Sequence, residues 1–273
     1  MPELPEVENV KNTLNRLVGG KTIKEVRVLW SNIIKHPELD EFKIRLSGQT
    51  IEHVERRGKF LKIFLDDDVL VSHLRMEGKY ALNQKKEPFD KHTHVLFEFT
   101  DGSELRYRDV RKFGTMHLYP KGEEEQQQPL SKLGYEPFSA ELTPSLLKKM
   151  FSKTSRSVKA VLLDQSLITG LGNIYVDEIL FASGIHPEQK ANGLSLQRLK
   201  KLQENMVSIL KESVEKGGST IRSYVNSEGK AGNFQLELFV YGKKGEPCKK
   251  CGREITRSVV AGRGTHFCSG CQK

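Results

Sequence analysis

A chain of 273 residues with 37% hydrophobic and 29% charged residues is long enough for about two domains of ~150 residues and buries a core without staples. It has no apolar run near the roughly 18 residues of a membrane span, and it starts on MPELPEVEN, acidic and proline-punctuated, where an export signal carries basic and then apolar residues; the expected compartment is the cytoplasm. Lys+Arg exceed Asp+Glu by 44 to 35, and residues 239–273 alone hold eight basic residues against Glu246 and Glu254, a concentration that points to a polyanionic partner.

Behind Pro5, Val7, Val10, Leu14 and Leu17 recur at helical spacing, with Glu6 and Glu8 in the first turn and Gly19-Gly20 at the end, which predicts a short amphipathic helix. From Lys21 to Tyr119 the segments TIKEVRVLW, KFLKIFL, HVLFEF and ELRYRDV alternate with Gly and Asp turns, which predicts an antiparallel sandwich or flattened barrel. Residues 120–137, PKGEEEQQQPLSKLGYEP, are polar and without period and read as an interdomain linker. Helical patterns follow in TPSLLKKMF, with Thr143 as N-cap and Pro144 at the first position, in SVKAVLLDQ, in NIYVDEILFASG after Gly170 and Gly172, and in SLQRLKKLQENMVSILKESV from Ser195. The tail returns to strand-like QLELFVYG, EITRSVVAG and THFC. The expected class is α+β and multidomain, with boundaries at 1–133, 134–236 and 237–273.

Cys248-x2-Cys251 and Cys268-x2-Cys271, sixteen residues apart, have zinc-ribbon spacing, and four thiolates close a tetrahedron with no open position, so the metal folds a hairpin and does no chemistry. Two disulfides are the alternative, and they belong to exported chains. At the other end, loss of Met1 exposes the secondary amine of Pro2. An α-amino group titrates near ~8, so part of it is nucleophilic at neutral pH, and attack on an aldehyde-level carbon gives an iminium ion directly. Glu3 and Glu6 lie beside it as proton donor and charge partner; as a bare pattern the same residues are also an ordinary helix start.

The blocks PELPEVE (2–8), RRGKF (56–60), SHLRMEGKY (72–80), RYRDVRKFG (106–114), LLDQ (162–165), GLGNIYVDE (170–178), GGSTIRSY (217–224), VYG (240–242) and AGRGTHFC (261–268) closely resemble, in order and over the whole chain, the bacterial formamidopyrimidine-DNA glycosylase family. The resemblance implies a DNA glycosylase and abasic-site lyase of base excision repair that removes oxidised purines, 8-oxoguanine and formamidopyrimidines, from duplex DNA. It implies an N-terminal helix with a β-sandwich, a helical domain with a helix–two-turn–helix, and a zinc hairpin holding one structural zinc ion. The chain is expected to be a monomer with DNA running between its domains.

Carried over residue by residue, the family's nucleophile falls on Pro2, its acid on Glu3 and its supporting acid on Glu6. Met76, Arg111 and Phe113 match the group that fills the void left by the flipped base, and the guanidinium suits the acceptor edge of an orphaned cytosine. Lys59, His73, Asn173, Tyr241 and Arg263 match phosphate-holding positions, Lys59 among them also counted with the catalytic residues Pro2, Glu3 and Glu6. Ser219 and the amides of Ile221, Arg222, Ser223 and Tyr224 match the loop that reads the lesion, with Lys159 and Glu77 at supporting pocket positions. Departures from the family's pattern stand at Asn9, Lys11, Asn12 and Tyr135 and touch none of these. The related endonuclease VIII group shares the N-terminal proline and acid and prefers oxidised pyrimidines; Leu4, the Met-Arg-Phe group and the long Gly-rich loop argue against it. A non-enzymatic zinc DNA-binding protein is the rival from another class.

Overall fold

The computed structural model describes residues 1–84, 87–219 and 232–273. The chain divides into two compact units, one of Met1–Ser131 with the described residues of 217–233, the other of Lys132–Lys216 and Phe234–Lys273. The first begins with helix α1 (Leu4–Val18), whose Val7, Val10, Leu14 and Val18 are buried, as their three-and-four spacing requires. Among the described residues nine strands follow: β1 (Ile23–Val28), β2 (Ile34–His36), β3 (Ile51–Arg57), β4 (Phe60–Leu65), β5 (Asp68–His73), β6 (Lys79–Gln84), β7 (Thr93–Phe99), β8 (Ser103–Arg108) and β9 (Thr115–Pro120).

They form a four-stranded sheet in the order β1-β7-β8-β6 and a five-stranded sheet in the order β2-β9-β5-β4-β3, antiparallel throughout except for β2 on β9. Ile63, Leu70 and Leu118 from one sheet and Phe97, Leu105 and Tyr107 from the other share a core with the apolar face of α1, which is the expected sandwich. Helix and sheet are also tied by polar contacts: Asn15 Nδ2 donates to the Val54 carbonyl and Val54 N–H donates back to Asn15 Oδ1, each at 2.7 Å. Helix α2 (Leu39–Leu46) interrupts the strands; only Phe42 and Leu46 are buried on it, too short an apolar signal to stand out in the sequence.

The stretch expected as a linker is in its first half part of the first unit. Lys62, buried on β4, has Glu55 of β3 at 3.8 Å; Glu124 and Glu125 meet its ammonium more closely, at 3.1 and 2.7 Å, as a buried cation requires, and Tyr119 donates its hydroxyl proton to the Gln128 carbonyl at 2.6 Å.

The second unit holds α3 (Pro144–Phe151), α4 (Val158–Leu162), α5 (Asn173–Ser183) and α6 (Leu196–Glu215). Thr143 and Ser195 cap α3 and α6 by accepting from Leu146 and Arg198 N–H, the hydroxyl caps that their positions predict. Strands β10 (Thr256–Val260) and β11 (Arg263–Phe267) make an antiparallel hairpin. QLELFVYG is not a strand, contrary to the sequence reading. A 3-10 turn spans Phe234–Glu237, and the amides of Phe239, Val240 and Tyr241 all donate to the buried Glu178 carboxylate of α5 at 2.9, 2.9 and 2.8 Å. One acid takes the donors that a neighbouring strand would have taken, and burial, outweighing those amides, raises the pKa of that acid. Among the described residues no helix is long and apolar enough to cross a membrane.

Candidate catalytic and DNA-binding sites

Pro2, Glu3 and Glu6 are all buried where α1 begins. Glu3 is the N-cap, and the two acids form a reciprocal capping box in which Glu3 N–H donates to Glu6 Oε2 at 2.8 Å. The other carboxylate oxygen of Glu6 accepts from the amide of Ser219 at 2.7 Å and from its hydroxyl at 3.1 Å. Gly218 makes this approach possible: at φ +79° it carries no side chain, and a Cβ there would stand 2.9 Å from Glu6 Oε1. Glu6 is thereby fixed in place, with Glu3 and Pro2 on the same helix start. Ile221, Arg222, Ser223 and Tyr224 lie outside the described residues.

Lys59 and His73 are both buried, Lys59 just before β4 and His73 ending β5, where it pairs with Phe60. The His73 ring meets Phe60 edge-on at 4.4 Å, and its Nδ1 accepts from Arg75 N–H at 2.8 Å. Burial first, then the charges of Arg75 and Lys59, push the His73 pKa down to about 3. The ring is therefore neutral at physiological pH, and with Nδ1 accepting, its proton sits on Nε2.

Met76 and Phe113 are 37% and 50% exposed, so neither packs in the core. Arg111 is exposed beside them, its guanidinium 4.6 Å above the Phe113 ring. The two loops that carry these residues converge on Tyr107, whose buried hydroxyl oxygen would lie 2.2 Å from a Cβ at Gly78 and 1.8 Å from one at Gly114. Asp109, also buried, accepts from the amides of Arg111, Phe113 and Gly114 at 3.0, 2.9 and 2.8 Å. Neither Tyr107 nor Asp109 was among the sequence candidates; the legible signal was an acid two residues before an Arg-x-Phe turn. Glu77 is half-buried.

In the second unit Lys159 is fully buried, its Nζ 2.6 Å from Asp177 Oδ1, and the other Asp177 oxygen accepts from His266 N–H of β11 at 2.8 Å. Asn173 is the first residue of α5, with Gly172 and not Asn173 as the N-cap, and its Nδ2 donates to the Gly264 carbonyl at 2.8 Å. That bond joins the start of α5 to the turn that carries the exposed Arg263. Tyr241 packs edge-on against His266 at 5.1 Å. Of the departures, Asn9 donates to the Pro5 carbonyl at 2.9 Å, a contact within α1, and Tyr135 pairs with Ile168 in an isolated parallel bridge.

The sulfurs of Cys248, Cys251, Cys268 and Cys271 lie within 4.8 Å of one another, with Cys248 to Cys271 at 3.8 Å and Cys251 to Cys268 at 3.4 Å. Four thiolates ~2.3 Å from a tetrahedral zinc stand about 3.8 Å apart, so the cluster fits the ion in donor type, number and spacing. No pair is bonded as a disulfide. The thiols titrate apart: the backbone amide of Arg253, followed by the neighbouring thiols, draws Cys251 down to about 7, whereas burial, followed by the neighbouring thiols, raises Cys268 and Cys271, so a metal that binds all four must displace their protons.

A basic chain with a thiolate-clustered hairpin and an exposed cation–aromatic turn has the makeup of a DNA-binding protein. Its residues 1–116 match the family model of the formamidopyrimidine-DNA glycosylase N-terminal domain, 133–225 that of the H2TH domain of the same enzymes, and 245–273 that of the zinc finger found in FPG and IleRS. Formamidopyrimidine-DNA glycosylases of Bacillus licheniformis and Bacillus subtilis are 62% and 60% identical, over all of this chain and 100% and 99% of theirs. A Lactococcus lactis FPG variant solved with DNA containing Fapy-dG matches at 41% identity and a TM-score of 0.94 over the full length of both chains. The L. lactis enzyme with DNA containing an abasic site matches at 41% and 0.93, over 99% of each. The chain belongs to the formamidopyrimidine-DNA glycosylase family.

Proposed function

We propose that this protein excises oxidised purines, 8-oxoguanine and formamidopyrimidines, from duplex DNA opposite cytosine, and then cuts the resulting abasic site by β- and δ-elimination through a Schiff base on Pro2. The observation that carries this reading is the start of α1, where Pro2 is flanked by two buried acids and Glu6 is held by Glu3 N–H and by Ser219. The relatives supply the substrate class, since L. lactis FPG was solved on DNA carrying Fapy-dG and on DNA carrying an abasic site.

Once Met1 is removed, the Pro2 nitrogen lone pair attacks C1′, the glycosidic bond breaks, and the base departs with the proton that the Pro2 nitrogen sheds. Glu3 gives a proton to the ring oxygen, the sugar opens, and an iminium forms between Pro2 and C1′. The iminium acidifies C2′–H; loss of that proton expels the 3′ phosphate, loss of a further proton from C4′ expels the 5′ phosphate, and water hydrolyses the remaining iminium to free Pro2. Glu6 keeps the helix start and Glu3 in register. Lys59, His73, Asn173, Tyr241 and Arg263 hold the phosphates, with His73 serving as a neutral Nε2 donor. Met76, Arg111 and Phe113 occupy the void. Ser219 and residues 221–224 read the lesion, with Glu77 and Lys159 in support. One zinc, held by Cys248, Cys251, Cys268 and Cys271, folds the hairpin that presents Arg263, and the enzyme works as a monomer in the bacterial cytoplasm.

Borohydride added during turnover of 8-oxoguanine DNA is expected to trap a covalent complex, with peptide mapping placing the adduct on Pro2. An adduct on a lysine, or equal trapping by a variant that retains Met1, would sink the mechanism.

A further inference from the structure

The exposed turn that carries Arg111 and Phe113 has no secondary structure of its own to hold it, yet its backbone is tightly determined. Asp109 is 1% exposed. One of its oxygens accepts from Arg111 N–H and the other from both Phe113 and Gly114 N–H. An ionised carboxylate has no donor of its own, so it can take three amides that would otherwise point into a turn with no ladder to receive them. Asp109 is itself anchored: its carbonyl meets His94 Nε2 at 2.7 Å, and its amide donates to the His92 carbonyl at 2.9 Å. Lys112, between the two exposed side chains, takes a left-handed backbone at φ +58° and lies over Trp30 at 5.6 Å. Its side chain is thus drawn to Trp30, while the neighbours on either side come together with the guanidinium on the ring.

We infer that Asp109 is the positioning residue of the opposite-base reader: its carboxylate presents Arg111 and Phe113 as one preformed unit, and so sets the preference for cytosine without touching DNA. The inference rests on the reading of Arg111 under Proposed function and deepens it. A guanidinium on a loose turn would spend binding energy on ordering itself, and the discrimination that two aligned hydrogen bonds provide would be lost.

Asp109→Asn keeps the shape of the side chain and replaces one acceptor oxygen by an amide nitrogen that faces donors. Two measurements on the full-length zinc-loaded enzyme test the inference. The first is hydrogen exchange of the Arg111, Phe113 and Gly114 amides, expected to accelerate at least tenfold in the variant while the strands β5 and β8 keep wild-type protection. The second is the ratio of kcat/KM for 8-oxoguanine opposite cytosine to that opposite adenine, expected to fall about tenfold, toward the value for Arg111→Ala. In the double variant the ratio is expected to fall no further than in Arg111→Ala alone.

Unchanged exchange at the three amides overturns the inference. So does a normal ratio in a variant whose amides exchange fast, or an additive loss in the double variant. If Arg111→Ala itself keeps the wild-type ratio, the base-reading role of Arg111 is what fails, and the exchange data alone then decide whether Asp109 organises the turn. Should Asp109→Asn not fold, His94→Phe removes the bond to the Asp109 carbonyl from below; it must shift the same ratio in the same direction, and an unchanged ratio there overturns the inference.

Discussion

His73 shows how one residue is held to one protonation state by its surroundings. The unfolded ring binds a proton near 6.5 and the folded ring only near 3, so between these values the unfolded chain carries more protons and stability rises with pH. The contribution is complete above the unfolded pKa and is lost as pH falls, by up to about 1.4 kcal/mol per pH unit. His73→Gln is expected to flatten that slope, and urea unfolding of both proteins at a series of pH values between ~7 and ~4 checks it; parallel curves would show that His73 is protonated without penalty. Glu6 is fixed in position by hydrogen bonds, and its partner Ser219 is 213 residues away in sequence, a contact that no local pattern encodes.

Among the elements, the two loops over Tyr107 tolerate no side chain at their contact points. A Cβ on Gly114 would lie 1.8 Å from the Tyr107 oxygen and 2.7 Å from its Cζ. Gly114→Ala is expected to destabilise the protein by about 1–3 kcal/mol, and Tyr107→Phe in the same chain is expected to recover part of that, since the hydroxyl goes but the ring carbon still presses. Denaturation midpoints of the single and double variants measure this; additive effects would place the strain elsewhere. The hairpin β10–β11 depends on a different device. Two five-residue strands that bury only Val260, Thr265, His266 and Phe267 are too small a core to fold alone, and metal ligation supplies on the order of 10 kcal/mol. Chelation is therefore expected to remove one zinc per chain and to free the amides of residues 245–273 while those of the sandwich stay protected, as read by metal analysis and hydrogen exchange. Active protein without zinc would contradict it.

For the molecule as a whole, the net charge of +9 bears on how it meets DNA. Arg263 is proposed to neutralise a phosphate, so Arg263→Ala is expected to reduce the slope of log affinity against log salt by about 1, uniformly across DNA sequences. Asn173 brings no charge; Asn173→Ala is expected to weaken binding while the slope stays. Titrations of abasic-analogue DNA at several salt concentrations distinguish the two, and an unchanged slope for Arg263→Ala would remove it from the phosphate contacts.

Helix α1, the sandwich strands β1, β4, β7 and β8, the hydroxyl caps of α3 and α6 and the cysteine pairs were legible in the amino-acid order, because each rests on spacings of one to four residues: alternation, helical period, a cap two or three positions from the amide it serves, a pair of cysteines in one turn. The chemistry of an N-terminal amine beside acids marked Pro2 and Glu3, and family motifs added the names of Met76, Arg111 and Phe113. What only the tertiary structure decided is where buried carboxylates send their acceptors. Glu178 takes amides 61 to 63 residues away and turns an apparent strand into a bend; Asp177 reaches His266 across 89 residues; Glu124 leaves the apparent linker for Lys62. An unpaired charge or amide in a low-dielectric interior is costly enough to override a weak local preference, and its partner is whichever group the fold brings within 3 Å, which spacing along the chain does not encode.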